Sequence, residues 1–236
     1  MTDCPVPSIG QDHPAWQGYA KMSEAELKTL LGLIVDNPHV RQILEVGALN
    51  GFSTVNMALA LEQRGTNGRI TTIDIFQKDA ERDDEAVFDR NCEAFGARGR
   101  IEKIKGYSAD RHVLAAVRGR RFDLIFHDAE HRYWPVMRDI LNYEELLAPS
   151  GYFVFHDYGD TWSLKRAVDE FFRRNPAYRL VFRVDSLIAF QKLRATSVAG
   201  RLHHRLSVRY AVRGLAFRYG AVRAVLGLWG GRERWL

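Results

Sequence analysis

Carboxylate and imidazole side chains stand at the ends of several apolar runs in this chain. These points are Glu45 before Gly47, Asp74, Asp128 with His131, and the pair His156-Asp157, with the turn Gly106-Tyr107-Ser108 as a fifth polar point. Such side chains move protons and hold cations near neutral pH. The first point has the most informative surroundings. Ile43–Thr54 reads Ile-Leu-Glu-Val-Gly-Ala-Leu-Asn-Gly-Phe-Ser-Thr and passes into the helical pattern Val55–Leu61. An apolar run, two glycines four residues apart and Ser53-Thr54 predict a strand, a tight turn and a helix start. Gly47 and Gly51 permit backbone conformations and close approach that a Cβ would forbid. The helix points unpaired N–H groups and a positive dipole end at whatever fills the turn. With Glu45 as an acceptor facing the same crevice, the segment suits a ligand carrying a carboxylate, an ammonium group and a ribose.

The elements that position these residues follow from the pattern. Ser23 with Glu26 forms a capping box opening a helix through about Val35, and Asn37-Pro38 ends it. Strands are expected near Arg41–Val46, Ile70–Ile75, Ile101–Lys105, Phe122–Phe126 and Tyr152–Phe155. Helices alternate with them at Phe52 to about Gln63, Ala80–Ala94, Ala109–Val117, Tyr133–Leu147 and Trp162–Arg173. Tyr178–Val184 and Ser186–Gln191 make a closing hairpin around Asp185. Continuous apolar strands alternating with helices imply a parallel sheet covered on both faces. The hairpin is expected to add one antiparallel strand at the sheet edge. The fold class is therefore α/β, a doubly wound, mostly parallel seven-stranded sheet with a reversed last strand.

In such sheets ligands bind outside the carboxyl ends of the strands, where all five polar points lie. Asp74 follows Gly51 by 23 residues, and a carboxylate there accepts both hydroxyls of a ribose. Its ordinary alternative is a turn aspartate. Ser108 is placed beside the base of the nucleoside, or as the N-cap of the helix from Ala109. The spacing Glu45-x-Gly47-x-x-x-Gly51 is not the Gly-x-Gly-x-x-Gly of pyrophosphate-binding folds. It resembles motif I of class I S-adenosylmethionine (SAM) methyltransferases.

Phe122-Asp-Leu-Ile-Phe-His-Asp128-Ala-Glu-His131-Arg-Tyr133 and Leu147-Ala-Pro-Ser-Gly151-Tyr-Phe-Val-Phe-His156-Asp157-Tyr158 narrow this further. They resemble segments of a subfamily that includes macrolide-sugar O-methyltransferases and cephalosporin-hydroxylase-like proteins, over roughly residues 40–192. The resemblance implies SAM as cofactor, held by Glu45, Gly47, Gly51, Ser53, Asp74 and Ser108. It implies a divalent metal, Mg²⁺ or Mn²⁺, held by Asp128 and by the pair at His156 and Asp157, and His131 as general base. His156 departs from the acidic pattern, and imidazole suits Mn²⁺, Fe²⁺ or Zn²⁺ better than Mg²⁺. The Asn/Asp-Pro-Pro-Tyr/Phe tetrapeptide of base-methylating enzymes is replaced here by His127-Asp-Ala-Glu130.

Of 236 residues, 46% are hydrophobic and 27% charged, a balance that fits a globular protein. The net charge of +5 is unevenly spread. Residues 195–236 hold eight arginines and one acid, a tail of +7, which leaves −2 on the other 194 residues. The basicity belongs to an appendage, and a nucleic-acid partner is not expected. Arg201, Arg205, Arg209 and Arg213 recur at helical spacing among Leu202, Leu206, Tyr210 and Phe217. The tail is read as a basic helical segment for an anionic membrane surface, a solvated pair packed on the body, or a second copy. Three divisions follow: an N-terminal extension 1–20, a SAM-binding domain 21–194 and the tail. The proline-bearing N-terminus has no apolar core for a signal peptide, and Cys4 and Cys92 make no metal-spacing motif. A reducing cytoplasm, with peripheral membrane contact through the tail, is the expected compartment. These readings converge on a SAM-dependent O-methyltransferase acting on a hydroxyl of a sugar or glycoconjugate. The rivals are a catechol- or phenol-type O-methyltransferase and a non-catalytic SAM-fold module docking through its tail.

Overall fold

The chain is described by a computed structural model covering residues 8–16, 22–173 and 175–194. The Arg-rich segment 195–236 and most of the N-terminal extension lie outside the described residues. Helix α1 (Glu24–Val35) opens on the expected capping box: Ser23 accepts from the Glu26 amide, and the Glu26 side chain accepts from the Ser23 amide. Then come β1 (Gln42–Val46), α2 (Phe52–Gln63), β2 (Arg69–Asp74), α3 (Asp84–Ala94), β3 (Ile101–Lys105) and α4 (Arg111–Val117). The second half runs β4 (Phe122–His127), α5 (Tyr133–Tyr143), β5 (Leu147–Phe155), α6 (Trp162–Phe172), β6 (Tyr178–Val184) and β7 (Leu187–Lys192).

The seven strands form one sheet in the order β3-β2-β1-β4-β5-β7-β6. The first five are parallel, and β7 runs antiparallel to both β5 and β6. The reversed strand is therefore not at the edge, as the hairpin alone suggested, but one place in. Burial explains the difference. Leu187, Ile188, Ala189 and Phe190 of β7 are all buried, whereas Arg179, Leu180 and Val181 of β6 are exposed. The more uniformly apolar arm takes the inner position.

Three element boundaries shift for local reasons. The expected start of α3 at Ala80 is a loop, because Asp79 accepts from the amides of Glu81 and Arg82 and the helix is capped at Asp83. Helix α4 is capped at Asp110 rather than Ser108, which frees Ser108 for another role. Helix α5 tightens into a 3-10 turn, Glu144–Leu146, before β5.

The core positions the carboxyl ends of the strands. Val46, Ile73, Leu124, Phe126, Phe153 and Phe155 are at most 1% exposed between the helical layers. Part of the N-terminal extension takes part. Trp16 is fully buried with its ring edge-on to Phe52, and its carbonyl accepts from Asn50 Nδ2 at 2.7 Å. The N-terminus thus braces the underside of the glycine turn.

Candidate active site

A crevice of about 550 Å³ opens at the carboxyl ends of β1, β2, β3, β4 and β5. Its wall is built first from the turn between β1 and α2. Gly47 has φ +94°, and a Cβ there would stand 2.1 Å from the Asp128 carbonyl oxygen. Only glycine lets the two loops after β1 and β4 meet this closely. Gly47 N–H donates to Ile73 O and Asp128 N–H to Val46 O, at 2.9 and 2.8 Å. These bonds continue the sheet ladder into the site.

Asp74 closes the turn. Its Oδ2 accepts from the amides of Ala48 and Leu49 at 2.7 and 2.9 Å, and its Oδ1 from Phe76 N–H at 2.7 Å. Leu49 has φ +48°, a left-handed conformation that costs a non-glycine residue roughly 1–2 kcal/mol. The two charge-assisted bonds to Asp74 offset that cost. Asp74 is thus the turn clamp as well as a crevice residue; its remaining lone pairs are available to a ligand.

Two residues expected to touch a cofactor stand behind the wall. Glu45 is fully buried, and its oxygens accept from Ser53 Oγ at 2.6 Å and Thr54 Oγ1 at 2.5 Å. Burial, with the Asp128 charge nearby, pushes its carboxyl up to about 7 despite those hydroxyls. Glu45 therefore pins the first turn of α2 to β1 instead of facing the crevice. Gly51 has φ +87°, and a Cβ there would meet Phe88 at 3.1 Å and Cys92 at 3.8 Å. Its requirement is the left-handed N-cap conformation and core packing, not room for a ligand. Gly47, Ser53, Asp74 and Ser108 do line the crevice, together with Asn50, Gln77 and Arg138, which the pattern of the sequence did not single out.

At the β4–β5 end the crevice wall is Asp128, His156 and Asp157. His156 is 4% exposed. Its Nδ1 lies 3.3 Å from Asp128 Oδ1 and 3.2 Å from Asp157 Oδ2, and its Nε2 is 3.4 Å from Glu26 Oε2. Burial opposes its charge, but Asp128 and Asp157 outweigh it and raise the imidazolium to about 11. Asp157 is held far below the usual carboxylate range by His131 and His156, against its own burial. Glu26 is itself fixed by the Ser186 amide and hydroxyl at 2.7 and 2.6 Å. Helix α1 thus reaches the site through a buried carboxylate, which a capping-box reading of Ser23 and Glu26 did not reveal.

His131, between the wall residues Glu130 and Arg132, contacts Asp157, with Nε2 3.1 Å from Asp157 Oδ2. The Asp157 carboxylate raises its pKa above the ordinary imidazole range, with burial opposing and Asp128 and Glu130 assisting. Asp157 has φ +56°, a strained backbone that aims its carboxylate between the two imidazoles. Of the residues expected to hold a metal, Asp128 and Asp157 come together with His131, and His156 stands apart from that group. One atom each of Asp128, His131 and Asp157 lies within 4.8 Å of the others, whereas His156 sits behind them as an internal cation. The buried Nε2 of His131 meets Asp157 as an ion-pair contact, without the geometry of a directed hydrogen bond. Two carboxylates and one imidazole fit a divalent transition ion better than Mg²⁺.

A reversed strand inside a seven-stranded sheet, with a glycine turn and an acid ending β2, defines a class of fold. The fold is the Rossmann-like fold of class I SAM-dependent methyltransferases, and residues 44–158 match the family described as "Methyltransferase domain". Over 131 residues it is 33% identical to the catechol O-methyltransferase of Mycobacterium tuberculosis. That match takes in 52% of this chain and 55% of the relative, about half the relative's length. Among solved structures, the O-methyltransferase from Bacillus cereus in complex with SAH (S-adenosylhomocysteine) superposes with a TM-score of 0.55 at 19% identity, covering 80% of this chain and 94% of that one. CalS11, a TDP-rhamnose 3'-O-methyltransferase of calicheamicin biosynthesis, gives a TM-score of 0.54 at 17% identity, covering 70% and 76%. At these identities the structures speak for the fold.

Proposed function

We propose that the protein transfers the methyl group of SAM to a hydroxyl oxygen of a sugar or glycoconjugate. The observation that carries this reading is the division of one crevice into two ends. A backbone-lined turn with Asp74 suits a nucleoside amino acid, and a cluster of two carboxylates and two imidazoles suits activation of an alcohol. Gly47, Ser53 and Asp74 bind the cofactor, Ser108 faces its base, and the N-terminus of α2 meets its carboxylate.

An alcohol is a weak nucleophile, so the site must take its proton as the C–O bond forms. His131 is assigned that role. Asp157 orients its ring in the manner of a base–carboxylate pair and stabilises the imidazolium that results. A divalent ion, held by Asp128 and Asp157, would favour the alkoxide when bound. His156 neutralises the two carboxylates from behind and keeps them in place.

A second reading rests on the Asp128–His131–Asp157 cluster itself. With His131 as a third metal ligand, the acceptor would be a catechol-like diol whose adjacent hydroxyls chelate the ion, and the matched catechol O-methyltransferase favours that chemistry.

Calorimetry with SAH, with and without Mn²⁺ and Mg²⁺, tests the proposal. SAH binding is expected in every case, with Mn²⁺ bound more tightly than Mg²⁺. No SAH binding under any condition overturns the methyltransferase reading and favours a module that keeps the fold without the cofactor.

A further inference from the structure

Ser108 is held from behind by a buried acid that the proposed reaction does not use. Its hydroxyl donates to Asp139 Oδ1 at 2.7 Å, and its carbonyl accepts from the Tyr143 hydroxyl at 2.5 Å. Asp139 is 1% exposed, on the same face of α5 as Val136, Ile140 and Tyr143. Its Oδ2 lies 3.2 Å from Nε2 of His127, which is fully buried against Phe155. Arg138, which also lines the crevice, brings its Nε to 3.9 Å from Oδ1.

A carboxylate on the apolar face of a helix is costly unless its bonds are satisfied. Here they are satisfied by partners that also fix a direction. An ionised carboxylate only accepts, so in the Ser108–Asp139 bond the serine must be the donor. A serine hydroxyl has one proton and two lone pairs. With the proton turned to Asp139, what Ser108 presents to the crevice is acceptor capacity alone.

On the SAM reading, on which this inference rests, the ribose meets Asp74 and the sulfonium lies toward Asp128. The base then extends to the end of β3, where Gly106, Tyr107 and Ser108 line the crevice. We infer that Asp139 is a positioning residue that makes Ser108 a one-way hydrogen-bond acceptor, so that the site selects a nucleoside base bearing an exocyclic amino group over its oxo counterpart. The amino group of adenine donates to Ser108. A carbonyl oxygen in its place sets lone pairs against lone pairs and leaves both groups unsatisfied.

The test is calorimetry on the full chain with SAH and with its deaminated analogue, S-inosylhomocysteine. The wild type should prefer SAH by about tenfold or more, the worth of one satisfied against one broken hydrogen bond. Asp139→Asn gives Ser108 an amide donor, so the serine proton can turn to the crevice. The preference should shrink severalfold while the fold, read by circular dichroism, persists. Ser108→Ala, at a partly exposed position, should also lose the preference, and it decides the matter if Asp139→Asn does not fold. An unchanged preference in either folded variant overturns the inference, as does SAH binding by the wild type without any preference. SAH binding by the wild type separates that outcome from failure of the SAM reading, in which neither nucleoside binds and both proposals fall.

Discussion

The two ends of the crevice are built on different principles. The β1–α2 end is made of backbone: Gly47 pressed against Asp128, two amides donating to Asp74, and Glu45 sealed beneath the helix start. Its shape is fixed by sterics and by bonds that need no counter-ion. The β4–β5 end is made of charges that hold one another: Asp128, His131, His156 and Asp157, with Glu26 behind. A site built from backbone fails when volume is added, and the group here that titrates near neutrality, Glu45, stands behind the wall. A site built from coupled charges tolerates volume poorly too, but it fails first when a charge is removed or titrated.

The largest effect is expected from volume at the first end. Gly47→Ala places a Cβ on the Asp128 carbonyl, and φ +94° is strained for alanine in any case. The loops after β1 and β4 must part, and SAH affinity should fall by about a hundredfold or more, the equivalent of roughly 3 kcal/mol. Wild-type SAH affinity in that variant, measured by calorimetry, would break the distinction between the two ends. Gly51→Ala sharpens it. That position needs the left-handed conformation but lies outside the crevice wall, so thermal stability should drop by roughly 1–2 kcal/mol. SAH affinity of the folded protein should stay within a few-fold of wild type.

Next in size is His131→Ala. Turnover of a hydroxyl acceptor should fall by roughly 10²–10⁴, the range for a positioned base. Full activity in this variant would move the proton transfer to another group. At high pH the loss should lessen, because hydroxide can take the proton.

A smaller effect tests the charge coupling by pH. The folded-state pKa of His156 is raised to about 11 from an ordinary 6.5. The stability it contributes is complete below the ordinary value and is lost progressively as pH rises through the folded one. The melting temperature of the metal-free protein should therefore decline between about pH 7 and pH 10. His156→Gln should start lower and decline less steeply. Parallel curves for the two proteins would remove the internal-cation role.

Much of this division was visible in the sequence, for reasons that differ between the two ends. Strand–turn–helix periodicity, the glycine turn and the acid ending β2 are local signals, and Gly47 and Asp74, which they single out, line the crevice. Glu45 and Gly51 stand behind the wall, since spacing does not say which way a side chain points from a twisted strand or a helix cap. At the second end, Asp128, His131, His156 and Asp157 were found by their place after apolar strands. Their mutual geometry was not, since it depends on a 29-residue separation closed only by the β4–β5 pairing. Glu26 lies on another element altogether. Its capping-box signature was true but concealed its contact with Ser186 and His156. Asp139 left one trace, an acid on the apolar face of an otherwise amphipathic helix.

The smallest effect concerns the tail. Truncation after Arg194 should leave SAH affinity unchanged, since all crevice residues precede it. On the membrane reading of the tail, association with anionic vesicles should weaken; equal vesicle binding by both forms would discard that reading.

The central claim is that the two ends are separable, one for a nucleoside and one for a cation and a proton. It is tested most directly by titrating Mn²⁺ and SAH into the wild type, Asp128→Ala and His131→Ala. The account predicts near wild-type SAH affinity in both variants, Mn²⁺ affinity lost in Asp128→Ala, and Mn²⁺ affinity retained in His131→Ala. Loss of Mn²⁺ binding in both variants would make His131 a ligand and favour the chelated-diol reading. Equal Mn²⁺ affinity in the wild type and Asp128→Ala would contradict the account.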